Sequence, residues 1–443
     1  MSIFKTAVQK NKKLVLDAQN YIWANAETGY REVKTSKYMA DAFEKLGYSL
    51  VKPDDIPGFY TVHDTGREGP EVLIFGELDS LICPDHPDAD KTTGAVHCCG
   101  HSAQCAALLG IAAALKEPGV TDKLFGRIRL CAVPAEELIE MEYRNKLIKN
   151  GTIKYFGGKT EFMYRGYFDG VDLAFMVHTT NGEKIYIRDA DSVGIISKTV
   201  TYKGVSAHAG GTPWEGVNAL YAATQGLAAA NALRETFKEC DYIRFHPIIT
   251  KGGNAVNAIP DTVTIETYIR GINFDVLKST NTKINRALAG AALSLGGNVE
   301  INDYSGYAPM TNDKRLLQCA MKAATEAGFE YTVSTNVSTG STDMGDISSV
   351  IPAIHPYMPG AIGKSHGADY YIANPELACV GSAIWQLELL NILLKDNAKR
   401  AYDVINNFKP RFASKKEYFE MLDSLASSGE RINYTNEGAT VKL

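Results

Sequence analysis

Apolar positions along the chain follow two rhythms. Val72-Leu73-Ile74-Phe75, Ile128-Arg129-Leu130-Cys131-Ala132-Val133 and Leu173-Ala174-Phe175-Met176-Val177 are short apolar runs bounded by turn residues, as expected of strands covered by helices on both faces of a sheet. Residues 10–48 place polar and apolar side chains at helical spacing on either side of Glu27-Thr28-Gly29, so a helix, a turn and a second helix over about 33–46 are predicted. From about 192 to 308 the rhythm changes. Period-two alternation over 195–202 predicts a strand, followed by a helix near 214–237, strands near 242–249 and 262–270, a helix near 274–294 and a strand near 298–304. That order, β-α-β-β-α-β, is the ferredoxin-like arrangement. The expected fold is therefore α/β: a mixed-sheet domain with helices on both faces, formed by residues 1–191 and 309–443 and interrupted by an inserted ferredoxin-like α+β domain over 192–308. Asn374-Pro375-Glu376 marks a helix start, with Asn as cap and Pro as the first helical residue. Residues 427–443 are polar and weakly patterned, suiting a surface strap or a frayed tail, and no repeat of fixed period occurs.

A chain of 443 residues with 45% hydrophobic content can bury a large core in two domains. Its net charge of −5 comes without a basic stripe, which argues against nucleic acid as a partner. The start of the sequence lacks a continuous apolar segment, and the apolar stretch around 106–115 is too short to cross a bilayer, so no membrane partner and a cytoplasmic location are expected. Eight scattered cysteines do not make a disulfide framework. Reduced thiols are expected, leaving Cys99 available as a thiolate ligand.

Candidate chemistry collects where the apolar runs end. Asp79 lies just past the first, Glu136 and Glu137 just past the second, and His178 just past the third, while Cys99 and His101 stand two residues apart at the mouth of an Ala/Leu-rich helix. Open α/β sheets bind ligands outside the carboxyl ends of their strands. Thiolate, imidazole and carboxylate together suit zinc, manganese or a neighbouring metal, and there are more ligands than one four-coordinate ion needs.

Taken together, Gly76-Glu77-Leu78-Asp79-Ser80-Leu81, His97-Cys98-Cys99-Gly100-His101, Pro134-Ala135-Glu136-Glu137, His178, and Gly340-Ser341-Thr342-Asp343-Met344-Gly345-Asp346 with His366 resemble the di-metal aminoacylase and carboxypeptidase family. The branch resembled is that of hippurate, indole-acetyl-amino-acid and aminobenzoyl-glutamate hydrolases, and the likeness extends to the turn Trp23-Ala24-Asn25-Ala26-Glu27-Thr28-Gly29. It implies Cys99, His101, Glu137, His178 and His366 as ligands of two divalent ions, Mn2+ or Zn2+, with Cys99 serving both. Asp79 matches a site-supporting carboxylate rather than a certain ligand, and Glu136 matches the general base. Gly204-Val205-Ser206-Ala207-His208-Ala209 resembles a lid segment whose histidine reaches an active site across a dimer. Asn257 and Arg270 fall where that branch holds its substrate. The implied enzyme is a metal-dependent amidohydrolase acting on N-acyl amino acids or small dipeptides with a free carboxylate. Its implied assembly is a homodimer through the inserted domain. Rivals are a catalytically silent metal-dependent binding protein, which the intact Glu136 argues against, and a scaffold whose inserted domain only dimerises.

The chemistry has its own logic. An amide is a poor electrophile and water a poor nucleophile; a metal pair remedies both, and adjacent carboxylates divide the labour between neutralising metal charge and moving the proton. Two departures from the family pattern stand out. Ser102 replaces the usual acidic or amide residue after His101, although serine can also cap a helix. The short glycine-rich stretch after the Glu pair gives way to 138–172, with Tyr143, Arg144, Lys146, Tyr155, Phe162, Tyr164 and Arg165, which begins beside the base and is placed to wall the pocket. Gly360-Ala361-Ile362-Gly363-Lys364-Ser365 lacks the spacing of a phosphate loop. His63, His86, His246, His355 and Cys98 are read as packing or surface residues, and His97 is left without a role. His208 also has a plainer reading, because Thr212-Pro213-Trp214-Glu215 reads as a capping box that would start a helix.

Overall fold

A computed structural model describes residues 2–443, which form two compact units. The first comprises the chain through Asp191, Met310–Val337 and Asp343–Ala413; the second comprises Ser192–Pro309, Ser338–Thr342 and Ser414–Leu443.

The first unit is built on a sheet in the order Phe59–Asp64, Arg127–Val133, Glu71–Glu77, Leu173–Phe175, Ala353–Ile354. Phe59–Asp64 runs antiparallel to its neighbour and the other pairings are parallel. Every residue of Glu71–Glu77 is buried, which explains its unbroken apolar run. The register sets Glu77 beside Val133 and Ile74 beside Phe175, so the chain leaves all three strands at one edge. The segments bearing Asp79, Glu136 and His178 therefore emerge together. A second sheet, in the order Tyr331–Ser334, Ile185–Arg188, Tyr357–Pro359, His178–Thr180, begins one strand at His178 itself.

Helix His101–Leu115 is buried on all sides, packed against Glu71–Glu77, Lys12–Ala24 and Ser382–Asn407, which is why its sequence lacks a polar face. It starts at Gly100, whose φ is +93°. Ser102 is not the cap: it sits inside the first turn with its hydroxyl unpartnered. The helix expected from about residue 10 is Lys12–Ala24, and a further helix that the pattern did not predict, Ile3–Lys10, precedes it across Asn11. The Asn11 amide donates instead to Ala7 O and Glu117 Oε1, both at 3.0 Å. Asn374 accepts from the Leu377 N–H at 3.1 Å and opens a π-helical turn that continues into Ser382–Asn407. The helical stretch Glu376–Asn407, whose backbone is non-helical at Lys395–Ala398, is longer than the one singled out from sequence and long enough to cross a membrane by length and composition; 89% of its apolar window is buried within the protein, as in a core helix.

The second unit carries the ferredoxin-like sheet, in the order Arg244–Phe245, Thr262–Gly271, Gly194–Lys203, Asn298–Ser305, with Ile248–Lys251 also paired to Thr262–Gly271. All pairings are antiparallel. Helices Ala219–Ala232 and Phe274–Ser294 pack on it. The first helix begins later than its sequence suggests. Val217 pairs with Val205 in an isolated bridge, which keeps the backbone extended past Pro213–Glu215, so Thr212 makes no side-chain cap and Asn218 caps through its bonds to Leu220 N and Tyr221 N. Residues 427–443 form a strap that belongs with this unit: Ser427 and Glu430 bridge to Asp303 and Glu300. Buried Arg431 fastens it, donating to Ile301 O and Ser427 Oγ at 2.8 Å each.

Candidate metal centre

Three groups of potential ligands meet at the shared strand edge of the first unit. Cys99, His101 and His178 form one, Cys99, Glu137 and His366 a second, and Glu77, His101 and Glu136 a third; within each, the donor atoms lie within 4.8 Å of one another. Cys99 belongs to two groups, so its sulfur can serve two cations. Cys99 Sγ is 3.3 Å from His178 Nε2, His366 Nε2 is 3.6 Å from Glu137 Oε1, and His101 Nε2 is 3.2 Å from Glu77 Oε2 and 3.9 Å from Glu136 Oε2. His366 is exposed at φ +64°, its loop held by a bond from its own N–H to Cys98 O at 2.9 Å.

The ring orientations fit metal ligation. His101 Nδ1–H donates to Asp79 O at 2.9 Å and His178 Nδ1–H to Thr179 O at 2.8 Å, leaving each Nε2 lone pair turned into the cluster. Buried His101 Nε2, Glu77 Oε2 and Glu137 Oε1 have no hydrogen-bond partner, an arrangement native proteins avoid unless another group satisfies it. A cation would. Burial alone would lower the basicity of His101, but Glu77 and the neighbouring Cys99 and Asp79 raise its pKa well above the usual range; that electrostatic demand for positive charge is the one a metal ion meets. Burial and the nearby His101 bring His178 down to about 4, keeping it neutral as a ligand must be.

Asp79 braces the site from behind. Its Oδ2 accepts from Glu137 N–H at 2.8 Å and its Oδ1 lies 3.3 Å from His101 Nδ1. Glu136 is buried, and burial together with the carboxylates of Glu77, Glu137 and Asp343 pushes its carboxyl well above the usual range. His97 is fully buried with both ring nitrogens unpartnered, held near 3 by burial and by His101. Among the residues read as packing, His86 and His355 are buried, and Cys98 is a buried thiol pushed up to about 12.

Sequence reasoning gave no role to three charged residues that underlie the cluster. Lys159 is fully buried, with Nζ paired to Glu77 and 2.5 Å from Asp343 Oδ1. Its helix, Gly158–Tyr164, starts against the strand end that leads to the Glu pair: a Cβ on Gly158 would fall 1.6 Å from Pro134 O. Glu77, two residues before Asp79 at the same strand end, carried a positional signal. Lys159 carried none.

In the second unit, His208 and Asn257 are exposed and lie on adjoining loops, joined by the His208↔Ala258 bridge and by Ala209 N–H to Asn257 O at 3.0 Å. His208 Nδ1 accepts from Gly210 N–H at 3.2 Å and Gly211 N–H at 2.9 Å, so in the neutral ring Nε2 carries the hydrogen and is a donor. Arg270 is not with them. It stands at the opposite end of Thr262–Gly271, about 26 Å along an extended strand from the Thr262 end, and donates to Thr339 O at 3.3 Å and Ser341 Oγ at 3.1 Å.

Comparison with known proteins sets this geometry in context. Residues 73–389 match the model of peptidase family M20/M25/M40. The chain is 32% identical over 408 residues to the Xaa-Arg dipeptidase of Mus musculus, covering 88% of this chain and 84% of that protein. It is 26% identical over 328 residues to the indole-3-acetyl-aspartic acid hydrolase of Enterobacter agglomerans, covering 62% and 70%. A dinuclear metal-binding peptidase of the M20 family from Bacillus subtilis shares the fold, with a TM-score of 0.64 at 19% identity over 87% of this chain and 99% of the other.

Proposed function

The chain belongs to peptidase family M20/M25/M40, and from that premise we propose that it is a two-metal amidohydrolase cleaving small dipeptides or N-acyl amino acids that end in a free carboxylate. Metal-dependent amide hydrolysis is the chemistry of the family. What carries the two-ion reading is the pair of donor groups sharing Cys99, backed by unpartnered buried donors. Cys99, His101 and His178 would hold one Mn2+ or Zn2+, with Glu77 turned toward the same space, and Cys99, Glu137 and His366 would hold the other. Bound there, such a pair acidifies water and polarises a carbonyl. Glu136 would serve as the base, taking a proton from the attacking water and returning it to the leaving nitrogen. Arg270 receives the substrate carboxylate. The Xaa-Arg dipeptidase likeness recommends dipeptides with a C-terminal arginine or lysine for the first assays, beside N-acetyl and aromatic acyl amino acids. The eight free cysteines fit a reducing, cytoplasmic setting.

Metal analysis under saturating Mn2+ or Zn2+ is expected to find two ions per chain in the wild type and at most one in Cys99→Ala. Chelation should abolish hydrolysis across the substrate panel and metal should restore it. A wild type with one ion or none removes the two-ion assignment, and a fully loaded protein inert on every substrate favours a binding protein instead.

His208 supplies the donor that the tetrahedral oxyanion needs, and we assign it to the partner subunit's site. The support is geometric: no small dipeptide spans the length of strand between Arg270 and the His208–Asn257 loops, so within one chain the two ends of the lid serve different substrates. The enzyme is then a homodimer. Mixing inactive His208→Ala with inactive Glu136→Gln under conditions of subunit exchange is expected to restore part of the activity, because one hybrid site receives both intact groups. Exchange shown by mass-tagged subunits without any return of activity would place His208 in its own chain's site or outside catalysis.

A further inference from the structure

Residues 138–157, between the Glu pair and Gly158, take no part in the reaction as described, yet they bury an arginine behind the base. Ala135, immediately before Glu136, is fully buried with φ of +58°, a left-handed conformation unfavourable for any residue with a Cβ. Such a conformation persists only where the surroundings impose it. Here they do so from two sides. Glu32 Oε1 accepts from Ala135 N–H at 2.8 Å, and Ala135 O accepts from Gly158 N–H at 3.2 Å and from Arg144 Nη1 at 3.5 Å. The same guanidinium donates through Nη2 to Glu137 O and through Nη1 to Phe156 O at 2.7 Å. One side chain thus holds the carbonyls on both sides of Glu136.

Arg144 is itself held in place. It is 1% exposed, on helix Met141–Lys149. A Cβ on Gly29 would stand 2.4 Å from its Nη2 and 3.0 Å from Ala135 Cα, so only glycine lets the N-terminal turn close over it. Glu140 ties the start of the same helix to that turn, accepting from Thr28 Oγ1 at 2.5 Å and pairing with Arg31 at 3.2 Å.

We propose that Arg144 is a positioning residue for Glu136: by gripping the main chain at 135 and 137 it imposes the left-handed turn at Ala135 and thereby aims the carboxylate of the base. The inference rests on the reading of Glu136 as that base. It is independent of where substrate specificity arises.

The test uses the metal-loaded full chain and the fastest substrate of the dipeptide and acyl-amino-acid panel. Arg144→Met is expected to lower kcat about 10²-fold, the scale of a misplacement near 1 Å, with KM within about twofold and both ions retained. Adding Ala135→Gly should recover much of that loss, because glycine adopts the left-handed turn without being forced. Arg144→Lys, which keeps the charge but not the two-pronged grip, is measured in parallel in case the methionine variant does not fold, and should lose about tenfold. A folded variant within twofold of the wild-type kcat overturns the proposal. So does a loss confined to KM, a loss of metal equal to the loss of turnover, or a double variant no faster than Arg144→Met. Glu136→Gln is the control for the underlying reading: if it keeps the wild-type kcat, the base assignment fails whatever Arg144 does.

Discussion

Glu136→Gln is expected to lower kcat by about 10²–10⁴-fold, the usual contribution of a positioned acid–base group, while the protein keeps its metal ions and its fold. The amide has the shape of the carboxyl it replaces but accepts no proton. The surroundings of Glu136 suit a group that moves protons. Burial and the carboxylates of Glu77, Glu137 and Asp343 raise its proton affinity, and cations bound beside it would act in the opposite sense. Glu137→Gln should behave differently. Glu137 Oε1 has no hydrogen-bond partner and faces His366, so losing its charge should weaken metal retention before it touches proton transfer. Metal content and kcat measured side by side on the two variants decide the matter, and equal metal loss in both would mean that the roles are shared or reversed.

Lys159→Met is expected to destabilise the metal-free protein by about 3–5 kcal/mol, the usual result of breaking a buried ion pair by removing one partner. Lys159, Glu77 and Asp343 are all fully buried. Burial would raise Glu77, but Lys159 and His101 pull it down to about 2; at Asp343 burial prevails and, with Lys159 opposing, the group stays near 6. Methionine would leave two buried carboxylates without their counter-charge, and both would bind protons more tightly in the native than in the unfolded state. The native variant then carries the excess of bound protons, so its deficit relative to wild type should shrink as the pH falls. Denaturant titrations at several pH values measure this directly. A deficit under about 1 kcal/mol at neutral pH, or one that grows on acidification, would show that Lys159 is not what balances the two carboxylates.

Much of the fold, and the gathering of candidate donors at one sheet edge, were legible in the amino-acid order because the relevant physics is local. Alternation at period two marks Thr262–Gly271 and helical spacing marks Phe274–Ser294, since each is the burial pattern of one element against a core. Residues just beyond buried parallel strands must emerge at one edge, which is why Asp79, Glu136 and His178 could be grouped from their places in the chain. Other features have no local cause. Ser102 looked like a cap until Gly100 took the helix start, and Thr212 lost its capping role because Val217 had already paired with Val205. Lys159 lies 82 residues from Glu77 and 184 from Asp343, and nothing in the spacing of a lone lysine says which carboxylates it will meet. Arg144 sits in a segment that reads from sequence as a pocket wall, and in the structure it is buried with its guanidinium on the main-chain carbonyls of Ala135, Glu137 and Phe156. Likewise Arg270 and His208 both read as lid residues, while the strand between them sets them at opposite ends. Sequence alone determined most of the elements and the edge at which the candidate donors gather, because periodicity and strand direction are properties of short stretches. The partners of the buried charges, and the faces on which the lid groups fall, were decided only when distant segments packed together, because a buried charge is satisfied by whatever group the topology delivers to it.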